Sequence, residues 1–119
     1  MQTKKLLASI CLLTAINVQV FGQANTGEIG GIVNDESGGV LPGTSVVALH
    51  PDSGFTVART TDVNGRFFFS SLPIGNWELT VELPGFRRVV QSNILLEIGR
   101  TIELVFELNL GQISEEITV

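Results

Sequence analysis

From Trp77 to Leu83 the chain reads WELTVEL, apolar at every odd position and polar at every even one. A β-strand turns successive side chains to opposite faces, so this period of two sets Trp77, Leu79, Val81 and Leu83 toward a core. Glu78, Thr80 and Glu82 then face water. The pattern returns from Ile102 to Leu108, with Ile102, Leu104, Phe106 and Leu108 inward, and Ile94, Leu96 and Ile98 serve the strand before it. The 3.6-residue period of a helix is missing from residue 28 onward. An all-β fold with sheets wet on one face follows.

Upstream, short apolar or alternating segments recur between turn signals at a spacing of about ten residues, the rhythm of a β-sandwich. Glu28 to Asn34 reads as a first strand, ended by the loop Asp35 to Gly39, and Leu41-Pro42-Gly43 leads into Thr44 to His50 as a second. Pro51 to Gly54 turns the chain into Phe55 to Thr61. Asp62 to Gly65 then leads to Arg66 to Ser70, and Asn64-Gly65 supplies the positive backbone angles of a tight antiparallel hairpin. Phe67 and Phe69 point one way and Phe68 the other. For residues 44–50 and 55–61 either face suits the core, and the tail, 111–119, reads as an edge strand or a linker.

The first 22 residues follow another logic. Lys4 and Lys5 precede an apolar run from Leu6 to Leu13 that weakens toward Phe21 and ends at Gly22. A basic start, a short apolar middle and a small-residue exit make a secretory signal peptide over 1–22. Asn17 and Gln19 interrupt the run short of the roughly 20 apolar residues that span a bilayer. Cys11 lies inside the run behind Ile10, where lipid attachment wants a small residue. It is the chain's one cysteine, so neither an internal disulfide nor a thiolate metal cluster can form. Cleavage after Gly22 leaves a short linker, 23–27, and one domain over 28–110, a size that suits a single core.

The exported part keeps five arginines and no lysine against twelve acidic residues, a net charge of −7. Such a surface repels phosphate backbones, which excludes nucleic acid as a partner. Arg87-Arg88 is the one basic pair and suits a solvated edge. His50 is the lone histidine, so a zinc site of two histidines and a glutamate cannot be built. Ser37, Ser45, Ser53, Ser70 and Ser71 have no second histidine to activate them as nucleophiles. Asp35, Asp52, Asp62 and Asn64 fit no calcium-loop spacing and read as turn formers. The expectation is a protein that is not an enzyme, with no catalytic, cofactor or metal residues. Sugar binding is the rival reading; Phe55, Phe68, Trp77 and Phe86 are the available rings, and with Trp77 in the core a stacking platform needs two of the others side by side.

Read in order, Gly31-Ile32-Val33, Asp35 to Gly39, Leu41-Pro42-Gly43, Val46, Thr61-Asp62, Gly65-Arg66-Phe67, Leu72-Pro73, Gly75, Trp77 and Pro84-Gly85-Phe86 resemble the carboxypeptidase regulatory-like domain. The resemblance spans nearly all of residues 28–110, with Trp77 where the family usually has Tyr. It implies a seven-stranded, transthyretin-like, immunoglobulin-like sandwich that stands beside an enzyme without carrying its metal site. A transthyretin-like hydrolase needs several His and Arg, which this chain lacks. Behind a signal peptide and before LNLGQISEEITV, the domain resembles the N-terminal extension of Oar-like TonB-dependent outer-membrane receptors of Gram-negative bacteria. That implies a periplasmic location, or the periplasmic face of the outer membrane, and a structural or protein-binding role. In those receptors a plug and barrel follow; here the expectation is either a piece of such a receptor or a free module. Ile113 to Val119 is the candidate edge for strand addition to a partner.

Overall fold

The computed structural model describes residues 25–111 and 116–119, so the signal peptide, Cys11 and Ile113 lie outside the described residues. Among these are eight strands: β1 (Thr26–Asp35), β2 (Ser45–His50), β3 (Phe55–Thr60), β4 (Arg66–Pro73), β5 (Gly75–Glu82), β6 (Arg88–Leu96), β7 (Thr101–Leu108) and β8 (Glu116–Thr118). They form a three-stranded sheet, β4-β1-β7, facing a five-stranded one, β3-β2-β5-β6-β8. The seven expected strands are β1 to β7. The tail adds the eighth, a three-residue edge strand parallel to β6.

The alternating segments behave as their period requires. Trp77, Leu79 and Val81 are fully buried, as are Ile29, Val33, Val46, Phe69 and Leu108, and together they fill the space between the sheets. Phe67 packs edge-on against Phe69 at 5.9 Å and, tilted by 40°, against Phe106 at 6.0 Å. Each buried ring removes about 150–250 Å² from water, roughly 4–6 kcal/mol before entropy is counted. β1 runs down the middle of its sheet, and a Cβ at Gly31 would meet the Leu104 carbonyl oxygen and the Phe67 ring. Only glycine lets the central strand pass there.

Several sequence expectations need correction. Ile98 does not face the core; it is 60% exposed, because the alternation of β6 stops at Leu96 and Ile98 sits in the turn to β7. Leu83, Ile102 and Leu104 reach the core only partly. The Asp62–Gly65 turn does not close a hairpin: β3 pairs with β2 and β4 pairs with β1, in different sheets. Gly65 has a φ of 72° while Asn64 is not in the left-handed region, so the turn is a corner between sheets. Asp62 holds that corner, accepting from the backbone N–H of Asn64 at 2.9 Å and of Arg66 at 3.0 Å.

Two bulges reset the alternation. In β4, Ser70 and Ser71 together oppose one residue of β1, and in β6, Ser92 and Asn93 oppose one residue of β5. Ser71 and Asn93 have φ of 54° and 59°, the left-handed conformation that absorbs an extra residue. Leu72 and Ile94 are thereby turned into the core.

Candidate functional site

His50 ends β2 at the rim of the core. Its Nε2 lies 3.0 Å from the Ile74 carbonyl, which can only accept, so Nε2 carries the proton and Nδ1 accepts from Ser53 Oγ at 2.7 Å. Ser53 Oγ in turn accepts from the Phe55 N–H at 3.2 Å. The imidazole packs on Trp77 with ring centroids 5.0 Å apart, and Phe55 meets the same indole edge-on at 6.2 Å. Trp77 Nε1–H donates to the Pro73 carbonyl at 2.8 Å, so no polar group of this buried cluster is stranded. Gly75 makes room: its φ is 125°, and a Cβ there would fall 2.7 Å from His50 Nε2.

Ser53 is thus beside the histidine, but in the hairpin that the histidine itself ends. The partner of Nε2 is a neutral carbonyl, which does not stabilise an imidazolium as the carboxylate of a hydrolase triad does. The other serines lie apart from it. Ser45 and Ser70 are exposed on strands, Ser71 forms the β4 bulge, and Ser37 sits in the β1–β2 loop.

The acidic candidates shape turns. Asp35 Oδ1 accepts from Ser37 Oγ at 2.6 Å, from Ser37 N–H at 2.9 Å and from Gly39 N–H at 3.0 Å. The Ser37 hydroxyl, backed by the two N–H groups, holds the Asp35 carboxyl below its ordinary range despite some desolvation. Asp62 plays the matching part at the inter-sheet corner, and Asp52 is exposed in the β2–β3 turn. Among the described residues no three His, Cys, Asp or Glu side chains gather as a metal site would require.

The aromatic candidates separate. Phe55 is 48% exposed on β3, Phe68 is 50% exposed on β4 of the other sheet, and Phe86 is half-buried in the β5–β6 loop, where it bridges to Leu110. Phe86, Leu108 and Leu110 line an open groove of about 280 Å³ with Asp35 at its rim. Trp77 is buried, as its phase in β5 requires.

The Arg87-Arg88 pair also divides. Arg87 lies along Gly111, and its backbone N–H donates to the Asn109 carbonyl at 2.8 Å. Arg88 reaches across β6 to the tail, donating from Nε at 3.0 Å and Nη2 at 2.7 Å to Glu116 Oε2, and from Nη1 at 3.3 Å to Glu82. These carboxylates raise the Arg88 guanidinium further above its ordinary value. The tail is therefore engaged by its own domain, with the Val119 N–H donating to the Val90 carbonyl at 2.7 Å. Sequence reasoning marked Ile113 to Val119 as an open edge and did not anticipate this pairing, since no local signal links Glu116 to an arginine 28 residues away.

No helix among the described residues is long and apolar enough to cross a membrane. No curated protein matches the chain by sequence. Among solved structures, the TIE protein of Bacillus anthracis superposes with a TM-score of 0.63 at 22% identity, over 72% of this chain and 17% of that one. Catechol 1,2-dioxygenase of Acinetobacter radioresistens gives 0.60 at 15% identity, over 75% of this chain and 53% of the enzyme. A streptococcal ancillary pilin gives 0.54 at 17% identity, over 75% and 34%. The chain thus spans about a sixth to a half of the length of these neighbours, and the likeness is one of fold. The sequence model of the carboxypeptidase regulatory-like domain matches residues 28–109, the same stretch that forms β1 to β7, and the chain belongs to that family.

Proposed function

We propose that the chain is a non-catalytic structural and protein-interaction module of the periplasm, resembling the N-terminal extension of a TonB-dependent outer-membrane receptor. One observation carries the reading: the single histidine is locked inside the fold between a serine and a carbonyl, while β3, β4, β7 and β8 form the outer strands of a rigid sandwich. Strand edges bind other chains through backbone hydrogen bonds and need no reactive group. The family membership supports an accessory role, and the basic, apolar N-terminal run supports export.

Affinity capture tests this. The full chain, tagged at its C-terminus and expressed in a Gram-negative host, is crosslinked in whole cells and recovered from the envelope. The expected product begins at or near Gln23, carries a discrete envelope protein, and hydrolyses neither peptides nor esters. A product that keeps Met1 in the cytoplasm refutes the location, and turnover of either substrate refutes the non-catalytic reading.

A further inference from the structure

The two edges of the five-stranded sheet differ in one respect. On one, β8 lies along β6 with Glu116 bound to Arg88. On the other, β3 has β2 on one side and no strand beyond it among the described residues. The direction of its hydrogen bonds can be assigned. Thr61 N–H donates to the Thr44 carbonyl at 2.9 Å, so Arg59, Val57 and Phe55 turn their backbone groups toward β2. The N–H and C=O groups of Thr56, Ala58 and Thr60 then face the open side.

Little blunts this edge. The six residues contain no Pro, Gly or Lys, and they pair with β2 without a bulge. The guard is Arg59, whose Nη1 donates to the outward Ala58 carbonyl at 2.8 Å and whose guanidinium lies 5.6 Å over the Phe69 ring. Arg66, Arg88 and Arg100 each have a carboxylate within 4.0 Å, whereas Arg59 has none among the described residues. It lies at a cleft of about 470 Å³ between the β3 and β4 edges, with Phe68 on the far wall. The acids nearby are committed: Glu103 to Arg66 at 3.7 Å, and Asp62 to the N–H groups of its own corner.

We propose that the β3 edge docks an extended acidic segment of a partner protein, which adds as a sixth strand and places a Glu or Asp side chain on Arg59. This rests on the reading of the domain as a protein-interaction module, and names the edge and the chemistry of its partner. On docking, Arg59 leaves the Ala58 carbonyl for the carboxylate, and the carbonyl passes to a peptide N–H. A bond from the guanidinium to a neutral carbonyl is exchanged for an ion pair with a carboxylate plus ladder bonds. The opposite edge already displays the same pairing in Arg88 and Glu116, which is why charge selects an acidic segment over a neutral one.

The test is a titration of the full ¹⁵N-labelled chain with a synthetic peptide of sequence QISEEITV, identical to residues 112–119, and with its QISQQITV analogue. The expected result is shifts at the Thr56, Ala58 and Thr60 amides, with affinity about tenfold lower, ~1.4 kcal/mol, for the neutral peptide or for Arg59→Gln. Ala58→Pro removes an outward N–H while sparing the β2 ladder, so it abolishes binding with the fold intact. Should that variant unfold, Arg59→Gln alone decides. Shifts confined to Arg88–Val90 and lost in Arg88→Gln mean displacement of β8 and overturn the proposal. So do equal binding of the neutral peptide, self-association through β3 without peptide, or no shifts up to ~1 mM peptide. Envelope capture by the full chain is a separate readout, so this site can fail while the module reading survives.

Discussion

Trp77→Phe tests the buried cluster at the rim of the core. The indole is fully buried and its Nε1–H donates to Pro73 at 2.8 Å. Phenylalanine keeps one ring and loses about three heavy atoms, worth ~2 kcal/mol at about 0.8 kcal/mol per buried methylene. The lost hydrogen bond adds ~1 kcal/mol. Partial collapse of His50 and Phe55, packed 5.0 and 6.2 Å from the indole, offsets some of the void. The expected cost is therefore ~3 kcal/mol, a fall in Tm of roughly 12–24 °C for a domain of this size. Urea unfolding followed by far-UV circular dichroism measures it, since the substitution removes the chain's one tryptophan fluorophore. A loss below ~1 kcal/mol with an unchanged m-value would show that the cluster does not organise the β4–β5 turn, and the reasoning would fail.

Other outcomes follow from the same packing. Gly31→Ala should cost about 1–3 kcal/mol by chemical denaturation, because its methyl meets the Leu104 backbone and the Phe67 ring in the central strand. Asp35 is held below its ordinary 3.8 chiefly by the Ser37 hydroxyl, so its contribution is complete at neutral pH and is lost as pH falls through the lowered value. Thermal melts from pH 6 to pH 2 should therefore show a shallower acid limb for Asp35→Asn. Truncation after Gly111 should leave a cooperatively folding domain by calorimetry, because β8 contributes three residue pairs at the sheet edge. It should expose the Val90 amide, which faces β8, to faster hydrogen exchange, while the Val89 amide, which faces β5, stays protected.

How far the fold is legible depends on whether a feature is local. The inward face of β5 can be read from WELTVEL because period-two alternation is a property of consecutive residues. β6 is harder: Val89 and Ile94 are both buried though five positions apart, since the Ser92-Asn93 bulge shifts the phase between them. A positive φ at Asn93 or Ser71 leaves no mark that distinguishes it from any other polar residue on a strand. The candidate docking edge is less legible still. β3 is recognisable as a strand, but its position at the margin of a sheet is fixed by which strands pair elsewhere. That Arg59 lacks a carboxylate among the described residues depends on assignments made elsewhere, which give Glu103 to Arg66, Glu82 and Glu116 to Arg88, and Glu97 to Arg100.

Gly54 and Gly65 show why turn chemistry alone misplaces a strand. Both follow polar turn residues, both precede a strand, and their φ values are 76° and 72°. Around Gly54 no other heavy atom lies within 4 Å of an added Cβ, as befits the tip of a true hairpin between β2 and β3. At Gly65 a Cβ would meet the Val33 carbonyl oxygen at 2.8 Å and Val40 Cβ at 2.8 Å. The Gly65 carbonyl also accepts from the Val33 N–H at 2.8 Å, so this glycine is already paired to β1 when β4 begins. The turn that looks like a hairpin is therefore the point where the chain leaves the five-stranded sheet for the three-stranded one. By separating β3 from β4 it also leaves the outward backbone groups of Thr56, Ala58 and Thr60 without the antiparallel partner that a hairpin would have supplied.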